Sequence, residues 1–392
     1  MGQLDDRLEQ ALAGIRRAGA WRELRPCRPQ PGGIVVRGDR RLVDFSSNDY
    51  LGLARHPEVI GRAARWAEEW GAGARASRLV TGTLEIHAAV EAKLARLKGT
   101  QAALIFNSGY QANAAILPAL LDRDMLGAEP LVFADRLIHA SLHAGLAQVR
   151  QIRFHHNDMD HLESLLRANA GKPGVRFIVT ESVFSMDGDR PDLRALVGLA
   201  EHHGAVLYLD EAHATGVLGP KGMGLSGLYP GRVEIAMGTF SKGMGSFGAY
   251  VAGSRKLCDW LVNRSAGFIY ATALPPAVLG AIDAALDLVP DLEAERFLLR
   301  SHAERARQAL GAAGLDTLAS DSQIVPAVIG SPEKALEASR YLEDRGVLGI
   351  AIRPPTVPQG TSRIRLAMSA AHGEAELGLL LDAVPGLAGF RS

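Results

Sequence analysis

The stretch Leu207-Tyr208-Leu209-Asp210-Glu211-Ala212-His213 is an apolar run that ends abruptly in an acid, with a histidine three residues on. Short apolar runs of this kind read as strands buried on both faces of a sheet. An acid at the carboxyl end of such a strand faces the crevice in which open α/β sheets hold their ligands. There it can pair with a protonated ring nitrogen and raise the pKa of that nitrogen. Taken alone, an Asp in this place more often caps the turn that follows it.

Working outward, Thr239-Phe240-Ser241-Lys242-Gly243 stands about thirty residues downstream, after another short apolar run. A lysine among small residues at a strand end can approach a flat ligand closely, and its amine can form a Schiff base once its pKa is lowered. Upstream, Asn107-Ser108-Gly109-Tyr110-Gln111-Ala112-Asn113 follows the apolar run 103–106. A glycine that opens a helix leaves free N–H groups, which suit a phosphate. In isolation the lysine is more simply a loop residue, and the glycine a plain strand–turn–helix junction.

Apolar runs recur at 103–106, 131–134, 151–154, 177–180, 206–209, 235–238 and 249–252, and helical periodicity separates most of them, as over 158–169 and 192–203. The alternation predicts an α/β fold, a mainly parallel central sheet with helices on both faces. Further helices are predicted over 84–97, closed by Gly99, and over 276–288 and 293–313. The rest predicts a smaller C-terminal α+β domain, with strands 324–329, 349–352 and 363–368 and helices 332–345 and 373–384. At the amino end, residues 4–18 predict an amphipathic helix with Leu4, Leu8, Ala11, Leu12 and Ile15 on one face, followed by strands 34–37 and 42–45. A chain of 392 residues exceeds one compact core. The expected division is an N-terminal helix with short strands over 1–46, a large ligand-binding domain over 47–285 and the small domain over 286–392.

Gly243-Met244-Gly245-Ser246-Phe247-Gly248 matches the G-x-G-x-x-G dinucleotide pattern. That pattern should open a helix directly after a strand. Here the glycines precede the apolar run 249–252, so they read as flexible backbone around the lysine.

Lys plus Arg and Asp plus Glu both total 43, so the net charge is zero and argues against nucleic-acid or membrane-surface binding. An anionic ligand must find local positive charge. The longest apolar stretch, near 114–121, is far short of the ~20 residues of a membrane span, and Pro118 interrupts it. The amino end lacks an apolar signal core. Cys27 and Cys258 match no metal-ligand spacing and read as buried free thiols. These features predict a cytoplasmic chain without a metal.

The order of phosphate cradle, strand-end acid with a histidine three on, and later lysine resembles the fold-type I pyridoxal-phosphate enzymes. Four further segments resemble one family of these, the α-oxoamine synthases: Phe45-Ser46-Ser47-Asn48-Asp49-Tyr50-Leu51-Gly52-Leu53, Ser77-Arg78-Leu79-Val80-Thr81-Gly82, Asp135-Arg136-Leu137-Ile138-His139-Ala140-Ser141 and Glu181-Ser182-Val183-Phe184-Ser185-Met186-Asp187-Gly188-Asp189. The resemblance covers nearly the whole chain. Ile352-Arg353-Pro354-Pro355-Thr356-Val357-Pro358, Gly360-Thr361-Ser362-Arg363-Ile364-Arg365-Leu366, Ile269-Tyr270-Ala271-Thr272-Ala273-Leu274-Pro275-Pro276 and His156-Asn157-Asp158 look most like the branch that condenses L-alanine with a pimeloyl thioester. In glycine-specific members the position of Ser77 is Thr, so Ser77 leaves room for the alanine methyl. One departure is Arg75 and Ala76, where the family usually has small residues, often Gly.

The resemblance implies pyridoxal 5'-phosphate as cofactor, held by Lys242, which also acts as proton-transfer base. Asp210 is implied to pair with the pyridinium nitrogen, His213 to bond the phenolic oxygen and His139 to stack on the ring. Gly109, Tyr110 and Thr239 are implied to hold the phosphate, with Ser185 a further cofactor contact and Thr272 reaching it from the neighbouring subunit of a homodimer. Arg353 is the implied carboxylate clamp, its planar fork matching that group bidentately. Asn48 and Ser77 line the same site, and Arg22 and Thr356 match substrate-contacting positions. The donor is pimeloyl-CoA or a pimeloyl carrier protein, and the sequence leaves that open. A rival within the family uses glycine with a short acyl-CoA, as 2-amino-3-ketobutyrate CoA ligase and 5-aminolevulinate synthase do. A non-catalytic regulator would need a DNA-binding module, and the chain shows no basic recognition helix.

Overall fold

The computed structural model describes residues 2–17 and 20–391. The chain divides into two compact units, one made of 48–185 with 189–298, the other of 1–47 with 186–188 and 299–392.

The larger unit is built on a seven-stranded sheet. Its order is Ala102–Phe106, Ala249–Gly253, Ile235–Thr239, Ala205–Asp210, Arg176–Glu181, Leu131–Asp135 and Gln151–Phe154. Ala249–Gly253 runs antiparallel to both its neighbours, and the other pairings are parallel. All seven anticipated strands form. Every residue of Ala102–Phe106, Ile235–Thr239 and Ala249–Gly253 is buried, which is why these strands read as unbroken apolar runs rather than alternating ones. Four strands end in a polar residue: Asp135, Glu181, Asp210 and Thr239. Parallel register sets Glu181 directly beside Asp210.

A histidine ties this edge of the sheet to the loop beyond it. His156 Nδ1 lies 3.0 Å from Asp135 Oδ1, and its Nε2 lies 2.8 Å from Asp189 Oδ2. The Asn157 N–H donates to Asp135 Oδ2 at 2.8 Å, and Phe184 packs edge-on against the imidazole with ring centroids 4.4 Å apart. Burial opposes charge on this ring, but the hydrogen bonds and charges of Asp135 and Asp189 outweigh it and raise the His156 pKa to about 10. His156 is therefore a cation between two carboxylates.

In the smaller unit Ile324–Gly330, Ser362–Ala367 and Ile350–Ile352 form an antiparallel sheet. A second sheet has the order Arg28–Gln30, Ile34–Arg37, Arg40–Asp44 and Val347–Leu348, the last pair parallel with Val347 opposite Val43. This pairing corrects the expected division: residues 1–46 are not a separate piece but share a sheet with the C-terminal part. The other boundary also moves, since 286–298 cluster with the larger unit. The helix Pro276–Leu288 packs so closely on Pro57–Trp70 that a Cβ at Gly280 would come 2.7 Å from the Arg62 carbonyl oxygen.

Three further features differ from expectation. The amphipathic helix forms over Gln3–Arg17, but none of its residues is buried, and Leu4, Leu8, Leu12 and Ile15 face solvent. Ala18, included in the expected helix, lies outside the described residues. Cys258 is buried as expected, whereas Cys27 is exposed, because it precedes the first short strand instead of entering the core. The helix Pro57–Trp70 is not among those expected, although it is amphipathic, with its covered residues 59, 62, 63, 66, 67 and 70 on one face. The glycine run at 243–248 lies in turns, as expected, and Gly245 stands at φ 61° where a Cβ would strike the Ala54 nitrogen at 2.3 Å. Among the described residues no helix is long and apolar enough to cross a membrane.

Arg75 stands at φ 68°, in the left-handed region that side chains with a Cβ enter at a cost of about 1 kcal/mol. This accounts for the small residue expected there. Arg75→Gly should raise the unfolding free energy by about 1 kcal/mol in urea titrations; a loss of stability would contradict the strain. For His156, the folded pKa is raised above the ordinary 6.5. Its contribution is therefore complete below that value and lost as pH climbs through about 10. His156→Gln should cost about 3 kcal/mol near neutral pH. The gap to the unaltered chain should narrow as the buffer is made alkaline, and a pH-independent gap would refute the cationic clamp.

Candidate active site

Asp210 is the last residue of Ala205–Asp210 and is 4% exposed. Its Oδ1 accepts the Ala212 N–H at 2.8 Å and its Oδ2 accepts the Asn113 amide at 2.8 Å. Burial pushes its pKa up, while the Lys242 charge, the two hydrogen bonds and His139 hold it back, and burial prevails. Lys242 sits half-buried in the turn after Ile235–Thr239. Its charge acts on Asp210, Glu181 and His139, so all four belong to one electrostatic cluster.

Glu181 ends the neighbouring strand and accepts the His139 backbone N–H on Oε1 at 2.6 Å. Burial and the adjacent Asp210 charge push its pKa well up. His139 caps the helix Ala140–Gly145. Its Nδ1 contacts Ser141 Oγ at 2.7 Å and accepts the Ser141 N–H at 3.2 Å. Burial lowers its pKa, favouring the neutral imidazole. His213 is buried three residues beyond Asp210, with Nδ1 2.6 Å from the Tyr50 hydroxyl. The Tyr50 hydroxyl also lies 3.0 Å from Asn48 Oδ1.

Gly109 opens the helix Gly109–Leu120, and the Ser108 hydroxyl caps it by accepting the Gln111 N–H at 3.1 Å. A Cβ at Gly109 would lie 2.6 Å from Thr239 Cγ2. Only glycine lets Thr239 stand this close to the helix N-terminus, where free N–H groups and the helix dipole favour an anion. Tyr110 is exposed beside it. Ser185 is half-buried in the loop after Arg176–Glu181. Ser77 and Thr272 form an antiparallel bridge, and Asn107 Nδ2 donates to the Thr272 carbonyl at 2.8 Å.

The larger unit thus carries Asn48, Ser77, Gly109, Tyr110, His139, Ser185, Asp210, His213, Thr239, Lys242 and Thr272. The smaller unit gathers the remaining three named positions. There Arg22 Nη2 donates to Thr356 Oγ1 at 3.4 Å, and Arg353 Nη2 to the Trp21 carbonyl at 3.4 Å. These residues line a cleft of about 1400 Å³ that also receives Arg25, Arg37 and Arg340.

Sequence reasoning gave no role to Asn113, Ser141, Tyr50 or the pair behind Asp210. In that pair Lys98 Nζ bonds Glu211 Oε2, the Met223 carbonyl at 2.7 Å and Ser226 Oγ at 2.8 Å. A signal existed for Tyr50, Asn113, Ser141 and Glu211, which all fall inside motif segments, and none for Lys98.

A flat cofactor with a phosphate at one end and a basic ring nitrogen fits these residues: a cradle that only glycine leaves open, a buried acid, and a lysine coupled to it. Residues 40–384 match the family model for class I and II aminotransferases. A relative from Gluconacetobacter diazotrophicus named 8-amino-7-oxononanoate synthase is 58% identical over 389 residues, spanning 98% of this chain and 97% of its own. One of the same name from Geobacter sulfurreducens is 48% identical, spanning 93% and 94%. The solved serine palmitoyltransferase from S. paucimobilis, with pyridoxal phosphate bound, matches at a TM-score of 0.90 and 27% identity over 99% of this chain and 98% of that one. Pyridoxal 5'-phosphate is the cofactor. The chain belongs to the class I and II aminotransferase family, in its branch of 8-amino-7-oxononanoate synthases.

Proposed function

We propose that this chain condenses L-alanine with a pimeloyl thioester, releasing CO2 and free thiol and giving 8-amino-7-oxononanoate, a step of biotin biosynthesis. The observation that carries this reading is full-length similarity to synthases of that name, 58% in one case, together with one cluster that holds Asp210, Lys242 and His139. The bound cofactor supplies a cationic ring that accepts the electrons of the bonds broken at the alanine Cα.

Lys242 anchors the cofactor through its amine, takes the proton from the alanine Cα and returns one at the end. Asp210 holds the proton on the pyridine nitrogen. His213, whose Nδ1 is committed to Tyr50, offers Nε2 to the phenolic oxygen. His139 covers one ring face and excludes water. The N–H groups of Gly109 and Tyr110 and the Thr239 hydroxyl hold the phosphate, with Ser185 beside them and Thr272 of a second subunit completing the site in a homodimer. Arg353 grips the alanine carboxylate, Asn48 and Ser77 shape the amino-acid pocket, and Arg22 and Thr356 meet the acyl donor. A carbon–carbon bond forms between the alanine Cα and the thioester carbonyl, the carbon–sulfur bond breaks, and the carboxylate leaves as CO2. We place the chain in the cytoplasm, with pimeloyl-CoA or a pimeloyl carrier protein as donor.

Incubation of the cofactor-loaded protein with L-alanine and each donor, followed by mass spectrometry, should yield 8-amino-7-oxononanoate. Glycine with a short acyl-CoA as the preferred pair would overturn the assignment. Lys242→Ala should abolish both turnover and the visible absorbance of the lysine-bound cofactor, and residual turnover above about one per cent of the starting rate would contradict its role as base. Ser77→Thr should move the alanine-to-glycine ratio of kcat/KM toward glycine by about tenfold, the scale of one methyl group in a pocket. An unchanged ratio would remove Ser77 from the specificity pocket.

A further inference from the structure

Asn113 lies on the helix Gly109–Leu120, is 1% exposed and has all its amide groups engaged. Its Nδ2 donates to Asp210 Oδ2 at 2.8 Å and to Ser141 Oγ at 2.9 Å. Its Oδ1 accepts the Tyr208 hydroxyl at 2.7 Å. We propose that Asn113 is the positioning residue that keeps Asp210 ionised and aimed, and that it joins this acid through Ser141 to His139. The proposal rests on the roles given above to Asp210 and His139.

An amide can sit either way round, and here the carboxylate decides which, because it only accepts. Asn113 Nδ2 therefore faces Asp210, and Oδ1 is left to accept the Tyr208 hydroxyl. Turned over, the amide would set an oxygen against Asp210. Tyr208 is fully buried, and burial with the Asp210 charge pushes its pKa well up, so the proton stays on the hydroxyl. The second amide hydrogen fixes the other arm. Ser141 Oγ accepts from Asn113 and lies 2.7 Å from His139 Nδ1, to which it donates when that nitrogen is an acceptor. The Ser141 N–H points to the same nitrogen, which leaves the proton of the neutral imidazole on Nε2.

The electrostatic consequence falls on Asp210. Its surroundings carry the Lys242 charge, which favours the anion, with His139, Glu181 and Tyr208 as further titratable neighbours. Burial works against the anion, and of the two hydrogen bonds that offset it, only the one from Asn113 comes from a side chain. Loss of this donor raises the Asp210 pKa further. The anion is then less favoured toward acid pH and recovers as pH rises.

The test uses cofactor-free protein and pyridoxal 5'-phosphate, with the dissociation constant followed by fluorescence quenching from about pH 6.5 to about pH 8.5. Asn113→Ala should weaken binding by about tenfold at the acid end, the loss expected for one hydrogen bond to a charged group. The gap should close toward the alkaline end. Tyr208→Phe removes one oxygen and should show the same trend at smaller amplitude. A folded Asn113→Ala with unaltered affinity at every pH would overturn the proposal. If that variant does not fold, Tyr208→Phe with unaltered affinity does the same. Asp210→Asn serves as reference: weak binding there with both other variants intact defeats the Asn113 proposal alone, whereas intact binding there defeats the role of Asp210 as well. Nitrogen-15 spectra should show His139 as the Nε2–H tautomer, and an Nδ1–H imidazole would overturn the second arm.

Discussion

A buried carboxyl group whose burial works against its charge is the constraint around which this chain is arranged. Taking such a charge out of water costs several kcal/mol even after relaxation, and the cost is met only by well-aimed partners. Asp210 has three kinds of partner: a backbone N–H two residues on, a side-chain amide from the helix Gly109–Leu120, and the charge of Lys242. Strand pleating then sorts the two consecutive acids. Successive side chains point to opposite faces, so Asp210 and Glu211 cannot share an environment. Asp210 joins the cluster with Lys242, while Glu211 turns to a buried pairing with Lys98 and Ser226. One strand end thus supplies a functional acid and, one residue later, the ion pair that fixes the backbone behind it.

Three adjacent parallel strands end in a carboxyl group, and each is handled differently. Asp135 is neutralised by the cationic His156. Glu181, set beside Asp210 by the register, has its pKa pushed well up by burial and by that neighbouring charge. Of the three, Asp210 is the one bonded by the side-chain amide of Asn113. Glu181 also does structural work, since it holds the backbone N–H of His139. Burial thus opposes charge on both neighbours, and the Asn113 amide and the Ala212 N–H favour it on Asp210.

The parts legible in the sequence are those that leave a local signature. Strands buried on both faces appear as apolar runs whatever their partners, so all seven of the large sheet could be read. Asp210, His213 and Lys242 stood out because an acid, a histidine and a lysine follow such runs at characteristic places. Asn113 could not be read in this way: a neutral amide on a helix carries no charge or period, and its partner Asp210 is 97 residues away. The His156 clamp was missed for the same reason, with Asp135 21 positions before it and Asp189 33 after. Pairing of Val43 with Val347 likewise leaves no trace in local pattern, which is why the N-terminal stretch read as a piece of its own.

That long-range pairing also explains how the chain divides its labour. Because Arg40–Asp44 is hydrogen-bonded to Val347–Leu348, the N-terminal stretch is carried by the smaller unit, and residues 334 positions apart, Arg22 and Thr356, come within 3.4 Å. The arginine-lined cleft is built from these ends, whereas the acid, the lysine and the histidines are built from the middle of the chain. Substitutions in the cleft alter charge and shape where side chains are exposed and cheap to change. Substitutions around Asp210 break a buried hydrogen-bonded network that joins Asn113, Tyr208 and Ser141. The arginine-lined cleft of one unit and the buried network around Asp210 in the other can thus change independently.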